Sequence, residues 1–191
     1  MTAMTTMISI GFIYNLCGVI GSLILVTGAA WSEGKNTKSP IKSIKNWLFA
    51  FGALIMLIYS FLGYIVGAPV FFVILEILMV IASILMMLNV PDKIDIGVIT
   101  ISTLALIIWS LFLFDGYTTI LFILGLYGVG LGYTLQMGSL NRSLALTAGS
   151  ILIALFSYLE ASWIFFWLNA FFAIFSAYYV YKGLAKTRVR K

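Results

Sequence analysis

The chain has 191 residues, 63% of them hydrophobic and 9% charged, with a mean hydropathy of +1.14. A soluble domain carries about 25% charged residues, so this composition excludes one and requires a polytopic membrane protein. At about 20 apolar residues per crossing, the length holds roughly seven spans and leaves almost nothing for a soluble catalytic domain.

Two further absences narrow the chemistry. Cys17 is the single cysteine, so neither an intramolecular disulfide nor a cysteine metal cluster can form. The chain contains no histidine, which removes the usual haem, copper and zinc ligands and the commonest general base. The expectation is a protein without cofactor or metal and without enzymatic activity.

Taken in order, the uncharged MTAMTTM leads into a first span, Ile8 to Ala30. A signal peptide would have a basic start and an apolar region of about 7–15 residues, so this reads as a retained span. Tyr14 and Asn15 are polar groups near its start, and Gly18, Gly21, Ser22 and Gly28 are small residues along it. Gly18 and Ser22 are four apart, on one helix face where another backbone could approach. Trp31 to Lys45 is a polar loop with Lys35, Lys38, Lys42 and Lys45, broken by Gly34 and Pro40. The second span is 46–66, with Trp47 placed as an interfacial anchor. Gly67 and Ala68 leave no room for a long loop, so spans two and three form a tight hairpin with Pro69 at a helix start.

The third span, Pro69 to Asn89, contains one acid, Glu76. Asp92, Lys93 and Asp95 read as an aqueous turn before a fourth span, Ile96 to Phe114, which Asp115, Gly116 and Tyr117 close. The fifth, Thr118 to Met137, carries Gly125, Gly128, Gly130 and Gly132, a density that favours close packing or an irregular backbone shielded from lipid. A turn at 138–142 precedes the sixth span, Ser143 to Leu159. After Glu160, the seventh runs from Trp163 to Tyr181 into a basic tail.

Threading seven spans puts all eleven Lys and Arg residues on the side opposite the N-terminus. The positive-inside rule then predicts an outside N-terminus and a cytoplasmic C-terminus in the cell membrane. It also explains the net charge of +5 without nucleic acid, leaving the tail free to touch lipid headgroups.

An internal repeat is visible on aligning Asn46 onward with Asn141 onward. Ala50 meets Ala145, Leu57 meets Leu152 and Phe61 meets Phe156; after a two-residue shift, Phe72 meets Phe165, Leu75 meets Leu168 and Ser83 meets Ser176. Within one membrane domain, 1–191, this predicts a parallel 3+1+3 plan: a three-helix unit at 8–89, a linker helix at 96–114, a second unit at 118–182 and a tail at 183–191. The plan, with the aromatic run WIFFWLNAFFAIFSAYYVYK in the seventh span, resembles the SWEET sugar transporters and PnuC vitamin-precursor transporters. The resemblance implies small-solute transport. Pro40, Pro69 and Pro91 all lie in loops or at span ends, so proline-centred kinks of the sugar-transporter kind are not expected.

Glu76 aligns with Asn169, and each lies seven residues before a serine, Ser83 and Ser176, on the same helix face. No lysine or arginine lies inside a span to pair with Glu76, and a charged acid facing lipid costs about 3 kcal/mol. One reading makes Glu76 and Asn169, with Ser83, Ser176, Trp163 and Trp167, a central polar site between two half-units. The other makes Glu76 a structural acid hydrogen-bonded to Ser60 or Tyr59 across the hairpin.

Other classes fit less well. A retinal protein needs a lysine in the middle of the last helix, whereas Lys182 is at its end. An intramembrane enzyme needs a nucleophile with a base, which serines without histidine or paired acids do not provide. The serious alternative is a non-catalytic structural or accessory subunit of a larger membrane complex. The partners expected are therefore the bilayer, a small solute, and either a second copy of the chain or complex subunits.

Overall fold

The computed structural model describes residues 2–31, 40–88, 90–136 and 138–189, with side chains between 13 and 185. Gly34, Lys35, Lys38, Asn89, Met137, Arg190 and Lys191, and the side chains of Lys186 and Arg188, lie outside the described residues. Among the described residues the chain is helical: α1 (Thr2–Ala30), α2 (Ile44–Ile65), α3 (Phe71–Leu88), α4 (Asp92–Phe112), α5 (Tyr117–Thr134), α6 (Leu140–Leu159) and α7 (Trp163–Val189), with one 3₁₀ turn at Pro40–Lys42. Each of the seven is long and apolar enough to cross a membrane, so the chain is an all-helical, multi-pass integral membrane protein.

Helix starts are set by local hydrogen bonding. Ser43 caps α2 by accepting from the Asn46 N–H at 3.3 Å, and Ser139 caps α6 by accepting from the Arg142 N–H at 3.2 Å. The cap draws Arg142 into the helix, where the sequence suggested a turn. Asp92 and Asp95 likewise form the first turn of α4, because the Pro91 carbonyl accepts from the Ile94 and Asp95 N–H groups. Acids there complement the positive end of the helix dipole.

The chain divides into two compact units, Met1–Met87 and Leu88–Lys191. In the first, α1 packs on α2, and the Asn46 side-chain amide donates to both the Pro40 carbonyl (3.1 Å) and the Met86 carbonyl (3.2 Å). That amide ties the start of α2 to the end of α3. In the second, α4 packs on α5, α5 on α6 and α6 on α7. The helix read as a linker thus belongs with the second unit.

Both units are seamed by glycine. Along α1 and α2, Gly21 receives Ile55 and Met56, Gly52 receives Leu25, and Gly28 receives Leu48. Along α5 and α6, Gly125 receives Ile153 and Gly132 receives Leu146, while a Cβ added at Gly128 would stand 2.8 Å from the Gly149 Cα. α5 remains a regular helix throughout, so its glycines serve close packing and not an irregular backbone.

The α2–α3 and α6–α7 connections end alike. At the end of α2 the Ala68 N–H donates to Gly63 O (2.9 Å) and the Gly67 N–H to Tyr64 O (3.1 Å), with Gly67 at φ +99°. At the end of α6 the Ser162 N–H donates to Ser157 O (2.8 Å) and the Ala161 N–H to Tyr158 O (3.1 Å), with Ala161 at φ 52°. Both are Schellman-type ends, with one left-handed residue satisfying the last carbonyls.

Candidate functional site

Glu76 is 1% exposed. It stands in a helix whose residues 71–76 are all buried, and its Oε2 has no hydrogen-bond partner among the described residues. A buried polar atom without a partner is uncommon in folded proteins and marks a place to look for function. Tyr59 and Ser60 lie near the end of α2, before the short 66–70 connection that leads into the helix of Glu76. Neither of them is a hydrogen-bond partner of the Glu76 Oε2. The Ser60 hydroxyl donates to the Leu57 carbonyl at 2.8 Å on its own helix. Tyr59 stacks on Tyr14 of α1 with ring centroids 4.5 Å apart, and their hydroxyls share a hydrogen bond. Gly63 makes room for that pair: a Cβ there would sit 3.0 Å from the Tyr14 oxygen.

Ser83, two turns along α3, is buried and donates to the Met79 carbonyl at 2.7 Å. Asn169 is buried in α7 and donates through Nδ2 to the Phe165 carbonyl at 2.9 Å, leaving its amide oxygen as the group it can offer. Ser176 is half-buried two turns further on.

Trp163 and Trp167 are placed differently, being 55% and 58% exposed. Trp167 and Asn169 are two residues apart, about 200° around the helix, so they occupy nearly opposite faces. The tryptophans instead join an outward aromatic ladder, with Trp163 edge-on to Tyr158 and to Phe166, and Trp167 edge-on to Phe166.

The second unit holds a polar cluster that sequence reasoning passed over. Arg142 of α6 donates to the Leu135 carbonyl at 3.1 Å and lies 5.5 Å from the centre of the Tyr133 ring. Asp95 of α4 acts on it electrostatically, and the Asp95 Oδ1 is buried without a hydrogen-bond partner among the described residues. The available signal was that Arg142 is the one arginine outside the tail. Further along α4, Thr103 is buried against Gly130 with its hydroxyl unpartnered among the described residues.

No family model matches the chain, and neither a curated protein nor a solved structure does so.

Proposed function

We propose that this protein is a small-solute transporter of the cell membrane, built on two related three-helix segments, α1–α3 and α5–α7, with its N-terminus outside and its C-terminus cytoplasmic. The observation that carries the reading is the correspondence between the two hairpins. The first i→i+4 main-chain bond of α3 is accepted by Val70 O and that of α7 by Ser162 O. Glu76 lies six residues beyond Val70 and Asn169 seven beyond Ser162 (76 − 70 and 169 − 162), so the two buried polar side chains stand about 9–10 Å into their helices, within one residue of the same depth. Equivalent capping at Ser43 and Ser139, equivalent Schellman ends and glycine seams in both preceding helix pairs support the same repeat. The resemblance to SWEET and PnuC architecture points the same way.

In this reading each unit brings one polar side chain to transport: Glu76, a carboxyl that accepts a proton or a cationic group, and Asn169, an amide oxygen that accepts from a donor. Uptake by proteoliposomes containing this chain alone is the test. Glu76→Gln should reduce uptake at least about tenfold, equivalent to about 1.4 kcal/mol in the rate-limiting step. Unchanged uptake in that variant removes Glu76 from the mechanism.

A second reading, an accessory subunit of a membrane complex, is favoured by the outward aromatic ladder of α7, a ready surface for a neighbouring helix. Transport by the purified chain alone would eliminate it.

A further inference from the structure

We infer that the ligand of Glu76 is a proton, bound and released reversibly, and not a metal or alkali cation. This rests on the transport reading for its role, but on the first unit alone for its chemistry.

A desolvated cation needs several oxygen ligands, six to eight for calcium and an octahedral set for magnesium. Among the described residues, the surroundings of Glu76 do not supply them. α3 is unbroken from Phe71 to Leu88, so the carbonyls around Glu76 are engaged in its own ladder, unlike the unwound segments that coordinate ions in many transporters. The hydroxyls of Ser60 and Ser83 are turned to carbonyls of their own helices. Among the described residues, no three acid or cysteine side chains converge anywhere.

Nor does a described residue supply a fixed counter-charge. Tyr59 on α2 and Tyr14 on α1 are bonded to each other, and among the described residues neither a cation nor a second carboxylate acts on Glu76. Among the described residues the Oε2 of an ionised carboxylate here has no hydrogen-bond partner, which is a costly arrangement for a buried charge. One proton cancels it. The step balances simply: a carboxylate oxygen takes a proton from hydronium, forming one O–H bond and releasing one water, and returns the proton to water on the other leg. The bare Oε2 is where that bond forms.

The test is modification of the full-length wild-type protein in micelles with dicyclohexylcarbodiimide, an apolar reagent that adds to protonated carboxyls in membrane surroundings. Peptide mass mapping then reports which of the six acids is modified. The expected result is modification at Glu76 that falls about tenfold for each pH unit above its ionisation and is unaffected by sodium or potassium. Protection by either cation at constant pH would overturn the inference in favour of a cation site. Modification that does not vary with pH would show a permanently neutral acid, and no modification of Glu76 at any pH a sealed one; either also overturns it. The assay needs neither variant nor transport, so labelling without uptake sinks the transporter reading, while uptake without labelling sinks the proton.

Discussion

Ala161 holds a φ of 52°, the left-handed region where a Cβ costs about 1–2 kcal/mol. Gly67 occupies the matching place in the other hairpin at φ +99° without that cost. Ala161→Gly should therefore stabilise the protein by about 1 kcal/mol, raising the unfolding midpoint in micelles by about 2–4 °C. A fall in midpoint would show that the alanine methyl is packed usefully. At this scale the sequence was legible where a residue was chemically out of place. Glu76 stands out because nothing else in its span is charged. Asp95, Arg142 and Tyr133 did not, because they come from three helices and meet only through packing. Trp163 and Trp167 looked like ligand contacts by type, yet α7 turns them outward and turns Asn169 inward.

The glycine seams set the geometry of the helix pairs. Gly125, Gly128 and Gly132 recur at spacings of three and four on the face of α5 that meets Leu146, Gly149 and Ile153 of α6. At the middle of the seam neither helix has a side chain to yield. Gly128→Ala should destabilise the second unit by about 1–3 kcal/mol, since its Cβ would meet the backbone of Gly149. Gly97 in α4 is the matched control. Nothing lies within 4 Å of a Cβ there, so Gly97→Ala should gain about 0.5–1 kcal/mol from helix propensity alone. Both follow from thermal unfolding followed by far-ultraviolet dichroism; equal effects would show that the seam bears no packing constraint. The crowding of glycine on α5 was visible in sequence. Its partner Gly149 was not, because an isolated glycine says nothing of register. Element ends moved for a similar reason: Pro91, Ser43 and Ser139 begin helices with bonds that hydropathy does not register.

For the whole molecule, hydropathy alone was enough to count the crossings, because lipid forces every span to close its own backbone hydrogen bonds. The proposed orientation rests on a different quantity, the placement of eleven basic residues. It predicts that a green fluorescent protein fused after Lys191 fluoresces in intact cells, and that a cysteine introduced at Asp115, between α4 and α5, reacts with impermeant maleimide from outside. The reverse pattern would invert the topology and place Glu76 nearer the cytoplasmic surface. The packing of α4 on α5, with Thr103 against Gly130, was not legible, because hydropathy does not say which spans are neighbours.

The acid and its helix also have a history during synthesis. α3 is the most apolar of the seven spans, with a mean hydropathy of 2.8. Its twelve Phe, Leu, Ile and Val residues each favour entry into the bilayer by about 0.3–0.6 kcal/mol, together about 4–7, against a penalty of about 3 for a charged acid. Insertion therefore succeeds whether or not Glu76 is ionised as it leaves the translocon. Because biogenesis sets no demand on its protonation state, that state remains available for use in the finished protein.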